Sequence, residues 1–112
     1  MDSIFITIKQ MLGIEADDDA FDNELIPFIN SAITVLTQIG VGPEKGFRIT
    51  GTTETWDELL QMRQDIDSIK NVVYFRTKLA FDPPQNSFLI ESIKKQCEEL
   101  EWRIEVATSP DE

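Results

Sequence analysis

The chain has 112 residues, enough for one domain and too few for two separate cores. Asp and Glu number 21 against 10 Lys and Arg, a formal charge of -11, which makes it a poor free binder of nucleic acid or anionic membrane. It has no histidine and one cysteine, which excludes Ser-His and Cys-His nucleophiles, an internal disulfide, a zinc cluster and a CxxC redox pair.

Met1-Asp2-Ser3 lacks the basic region of a signal peptide. Ser3 can cap a helix carrying Ile4, Phe5, Ile8, Met11 and Leu12, with Gly13 after its end. The run Ile4-Phe5-Ile6-Thr7-Ile8 is also β-compatible, and helix is the preferred reading. Asp17-Asp18-Asp19 is suited to cap a following helix with the stripe Phe21, Leu25, Phe28, Ile29, Ala32, Val35, Leu36 and Ile39. Pro27 lies inside that stripe and is expected to kink or break the helix; Gly40 ends it.

Residues 41–55 read as a long protruding loop or a small hairpin turning at Gly51-Thr52. Phe47 and Ile49 lie there away from any helix stripe, as a folded-back plug or as a hook offered to a neighbouring chain. Thr55-Trp56-Asp57-Glu58 fits a capping box, and Trp56 is expected to pack the loop onto the core. A helix then runs through Ile66, Ile69, Val72, Val73 and Leu79, capped by Asp65 or Asp67 and either separate from the Trp56 turn or bent into it. Asp82-Pro83-Pro84 stops it.

The last helix starts near Asn86 or Ser87 and carries the stripe Leu89, Ile93, Cys97, Leu100 and Ile104. Cys97 reads as a buried, inert thiol. Trp102 is off the stripe, either as a core flank or as an interface anchor. The expected fold is mainly α: a small bundle of four to five helices with the 41–55 protrusion. Residues 1–106 form a single domain and 107–112 a flexible acidic tail. No apolar run is long enough to span a membrane.

Three stretches invite a chemical reading, and none carries it. Gly40 to Gly46 has the wrong glycine spacing for a dinucleotide fingerprint and has Lys45-Gly46 where a P-loop needs Gly-Lys. Asp17 to Glu24 places Phe21 and Asp22 where a calcium loop needs an oxygen ligand and a glycine. The many surface carboxylates lack the apolar setting that would raise one of a pair for acid catalysis. No catalytic, cofactor-binding or metal-ligating residue is assigned, and no cofactor. A structural or interaction role follows by elimination.

The run Tyr74-Phe75-Arg76-Thr77-Lys78-Leu79-Ala80-Phe81-Asp82-Pro83-Pro84, then Ser87-Phe88-Leu89-Ile90-Glu91 and Glu98-Glu99-Leu100-Glu101-Trp102-Arg103, resembles the small head-tail connector (adaptor) proteins of long-tailed bacteriophages and prophages. Asp17 to Asp19, Ile29-Asn30-Ser31-Ala32 and Gly40-Val41-Gly42 extend the resemblance over nearly the whole chain. It implies a helical virion protein, assembled in the bacterial host cytoplasm. Such a protein forms a ring of about twelve copies below the portal, although it can be a monomer when isolated. The ring binds the portal protein, docks the next head-completion or tail protein, and passes double-stranded DNA without specific binding or membrane contact.

Residues 1–30 and 85–112 are strongly acidic, whereas 31–84 are nearly neutral, so like-charged subunits approach most cheaply through the middle. On that basis Phe47, Arg48, Ile49, Arg63, Lys70, Arg76, Lys78 and Trp102 are the expected subunit or partner contacts. The alternative reading of the same acidity is a DNA mimic or a regulatory protein-binding module.

Overall fold

The computed structural model of the chain describes residues 2–108. Five helices follow in order: α1 (Ile4–Met11), α2 (Asp22–Gln38), α3 (Trp56–Leu60), α4 (Ile66–Phe81) and α5 (Ser87–Thr108). The mainly helical expectation is met. The only β pairing among the described residues is an isolated antiparallel bridge between Ser3 and Thr55, so residues 41–55 form a loop and not a hairpin.

The first segment is a helix because Ser3 caps it: its Oγ accepts from the Ile6 N–H at 3.2 Å. Ile4, Phe5 and Ile8 then share one buried face. The chain leaves α1 through Gly13, at φ +83°. The Gly13 N–H reaches the Gln10 carbonyl and the Ile14 N–H the Lys9 carbonyl, the paired bonds of a Schellman ending. α2 ends the same way: Gly40 (φ +100°) bonds Thr37 and Val41 bonds Leu36. Leu36 and Val41, which flank that ending, are both fully buried.

Asp17-Asp18-Asp19 does not cap α2. The capping position belongs to Phe21, which makes no side-chain cap bond and instead meets Phe81 edge-on at 5.3 Å. The acidic segment is wrapped around the buried ammonium of Lys9. Its Nζ donates to the Ala16 carbonyl (3.2 Å), the Asp18 carbonyl (2.7 Å) and Asp22 Oδ1 (3.0 Å). Three donors meet three acceptors, so the burial leaves no unpaired donor.

Pro27 does not break α2, which runs unbroken from Asp22 to Gln38. Proline removes the bond to the Asn23 carbonyl, but Asn23 and Pro27 are both exposed, where water can replace it.

The loop after Gly40 is held in its middle by Asn30 of α2. Asn30 Nδ2 donates to the Ile49 carbonyl (3.0 Å), and the Ile49 N–H donates to Asn30 Oδ1 (2.7 Å). This side-chain clamp replaces the missing strand partner and places Ile49 fully inside the core. At the loop's far end the Ile4 N–H bonds the Glu54 carbonyl and the Trp56 N–H bonds the Asp2 carbonyl. Thr55 and Glu58 complete the capping box that starts α3.

α3 and α4 are separate helices. Gln61 and Met62 both take positive φ, 51° and 74°, and interrupt the chain between them. Asp65 precedes α4 without capping it, because Arg63 holds its carboxylate. α4 stops at Phe81, before Asp82-Pro83-Pro84. Asn86 then caps α5, accepting from the Phe88 and Leu89 N–H groups.

α4 is the central helix: α1, α2 and α5 all pack on it. The result is a slab, 45 × 35 × 20 Å. α5 has 22 residues, about 33 Å, and α4 is its main support. Its expected apolar stripe is therefore only partly covered: Cys97 and Ile104 are buried, Ile93 and Leu100 are half-buried, and Leu89 is exposed. α5 reaches Thr108, and the rest of the expected tail, 109–112, lies outside the described residues.

The Asn30 clamp is testable. Asn30→Ala removes two partly buried hydrogen bonds and leaves the Ile49 amide and carbonyl unpaired. Chemical denaturation should show a loss of about 2 kcal/mol; a loss below about 0.5 kcal/mol would mean that the loop does not depend on it.

Candidate interaction surfaces

Among the described residues no group of three or more His, Cys, Asp or Glu side chains is placed to hold a metal ion. No described helix is long and apolar enough to cross a membrane. Two surfaces stand out, one on α2 and one on α5.

The first is a groove of about 510 Å³ between α2 and residues 45–48. Its α2 wall is Pro27, Asn30, Ser31, Thr34 and Thr37, on the side turned away from the buried Leu25, Ile29 and Leu36. Its other wall is Lys45, Gly46, Phe47 and Arg48. The loop takes this path because Val41 and Ile49 are buried on either side of it, which leaves the segment between them bowed outward. Lys45 and Arg48 are exposed, and neither has a carboxylate partner among the described residues. Phe47 is half-buried against the core.

The second is the outer face of α5, opposite Cys97 and Ile104. Phe88, Trp102 and Val106 are 79%, 64% and 53% exposed there. Glu98 lies four residues before Trp102 and Glu105 three after it, which puts both carboxylates beside the indole on one face. Both are exposed and unpaired among the described residues, whereas Glu99 is held by Arg103 at 2.6 Å. Trp102 is an exposed side chain and not a core flank.

The eight residues singled out from sequence fall into two groups. Phe47, Arg48 and Trp102 lie on these two surfaces. The other five are engaged within the chain. Ile49 is the core plug. Arg63 grips Asp65 through two bonds and donates to Thr108 Oγ1 at 2.7 Å, fixing the end of α5. These bonds hold the Asp65 carboxyl below its ordinary range, against the effect of burial. Lys70 stands over the Trp56 ring, 5.6 Å from its centroid. Arg76 pairs with Glu101 across the α4–α5 contact, and Lys78 pairs with Asp82 at 3.0 Å.

Sequence reasoning missed Lys45, Glu98 and Glu105. Lys45 sits in the glycine stretch that fails the phosphate-loop test. Glu98 and Glu105 were visible as neighbours of Trp102 at helical spacing, among many similar carboxylates on the same helix.

Cys97 donates to Glu101 Oε2 at 3.3 Å. Burial, then the Glu101 carboxylate, push its thiol up to about 12. The thiolate is the reactive form, and a smaller thiolate fraction outweighs its greater nucleophilicity, so at pH 8 the folded protein should react with a disulfide reagent at least about thirtyfold more slowly than the unfolded chain. Comparable rates in buffer and in denaturant would contradict the buried placement.

A family model described as Phage connector protein matches residues 4–111. Comparison with curated proteins and with solved structures finds no match.

Proposed function

Because the chain belongs to the phage connector protein family, a structural and not an enzymatic family, we propose that it is a virion protein that assembles as a ring under the portal, extends the DNA channel and docks the next head-completion or tail protein. The observation that carries this reading is the family match over nearly the whole chain. Residues 1–106 act as the connector domain and 107–112 as an acidic end that follows it, its first two residues, Ala107 and Thr108, completing α5.

The physical features support a conduit. A DNA channel has to pass the duplex without holding it. A subunit of charge -11, repeated around an axis, repels phosphate at short range. Salt confines that field to about 8 Å, so it acts at the channel wall and not at a distance. A ring also needs two different surfaces on each subunit, because a closed cycle is built from head-to-tail contacts. The slab has two such surfaces, on α2 and on α5. Proteins of the phage head, the portal foremost, are the partners this role implies; assembly in the host cytoplasm belongs to the same reading.

The test is mass in solution, by light scattering on a size-exclusion column, with and without the portal protein of the cognate phage. The expected result is a portal complex of fixed stoichiometry, about twelve copies of the chain per ring, with no retention of a short DNA duplex at physiological salt. A chain that ignores the portal and instead binds a basic nuclease or repressor in a salt-sensitive way would overturn the proposal.

A further inference from the structure

The two surfaces described above complement each other. On α5, an exposed indole stands between two unpaired carboxylates, Glu98 and Glu105. In the groove, two unpaired bases, Lys45 and Arg48, stand beside Phe47 and Pro27. We propose that Trp102 of one copy seats in the groove of the next copy, with Glu98 and Glu105 facing Lys45 and Arg48. This rests on the ring reading and names the contact that closes it.

Three observations favour a second copy of this chain as the occupant. The first is charge. The chain carries -11, and Lys45 and Arg48 are two of only ten bases, most of them already paired or stacked within the chain. An acidic surface is what two free cations recognise, and α5 supplies one around Trp102, where Glu98 and Glu105 outnumber Lys95, the one free base on that face among the described residues.

The second is apolar cover. Trp102 is left mostly uncovered by its own chain, and the groove offers the Phe47 ring and Pro27. An aromatic residue ringed by charged neighbours is the usual anchor of a protein contact. A DNA backbone would satisfy Lys45 and Arg48 but would leave those apolar groups against phosphate.

The third is reach. Glu98 and Glu105 are seven residues apart on a helix, about 10 Å along its axis. Lys45 and Arg48 are three residues apart, at most about 11 Å, across a turn closed by the Gly46 N–H on the Pro43 carbonyl. Both are long side chains, so the two pairs are within reach of each other. The groove is on the side of α2 turned from the core, and Trp102 is on the side of α5 turned from α4. The groove and the knob are different surfaces on different helices, so the contact joins unlike surfaces of successive copies and propagates.

Two full-length variants test this, Glu98→Lys/Glu105→Lys and Lys45→Glu/Arg48→Glu. All four positions are exposed. Sedimentation velocity up to millimolar concentration, alone and on cognate portal rings, gives the readout. Each variant alone should lose self-association by tenfold or more. Mixed, they should regain association and grow by alternation, because the intact knob of one variant meets the intact groove of the other and the two reversed surfaces also match in charge. Trp102→Ala should weaken wild-type association by a similar factor. Variants that assemble like the wild type would overturn this contact and leave the ring standing. A wild-type chain that associates neither with itself nor on the portal would remove the ring and the contact together. If Lys45→Glu/Arg48→Glu loses affinity for duplex DNA with self-association unchanged, the groove faces DNA and the proposal fails.

Discussion

Burial of Trp56 is the interaction on which the rest of the molecule depends. Its ring is 1% exposed. Its indole N–H donates to Thr7 Oγ1 of α1 at 3.0 Å, its backbone N–H reaches Asp2, and Lys70 of α4 covers its face. One side chain thus ties the N-terminus, α1, α3 and α4. It also ends the long loop at a defined place. Gly40 and Val41 fix the loop's start, Asn30 fixes Ile49, and Trp56 fixes the exit. Held at three points, a segment of that length has a single path despite having no regular structure of its own. The groove on α2 is a consequence of that path.

Electrostatics divides the molecule in a related way. A chain with so few bases uses most of them inward. Lys9 organises the acidic turn before α2, Arg63 fixes the end of α5, and Arg76 joins α4 to α5. The pairs of Arg63 and Arg76 are partly shielded from water, where such contacts count for more than on an open surface. What remains free on the outside among the described residues is mostly acid, apart from Lys45 and Arg48 at the groove and Lys95 on α5. The two bases at the groove give a strongly anionic protein a place where another anionic copy can approach.

Most of the fold was legible in the sequence, because the signals were local. Ser3, Thr55 with Glu58, Asn86, Gly13, Gly40 and Asp82-Pro83-Pro84 mark helix ends through bonds or steric limits that act within a few residues. Two of the failures come from the surroundings that the fold gives a residue. Asp17 to Asp19 has the composition of a cap, but the buried ammonium of Lys9, on the preceding helix, recruits the turn. Pro27 has the composition of a break, yet it sits on an exposed face where α2 tolerates it. The surface residues follow the same division. Trp102 was visible as a misfit to its stripe. That Arg63, Lys70 and Arg76 are held by groups within the chain was not visible, since Thr108, Trp56 and Glu101 are far from them in sequence.

The central claim is that the isolated subunit already holds residues 41–55 in place, so that the groove exists before any partner arrives. Native-state amide hydrogen exchange on the isolated chain tests it most directly. The amides of Ile4, Ile49 and Trp56, bonded to Glu54, Asn30 and Asp2, should be protected to a degree approaching that of the Ile69–Val73 turns in α4. Exchange of these three amides at the rate of an unstructured chain, with α4 still protected, would contradict the account.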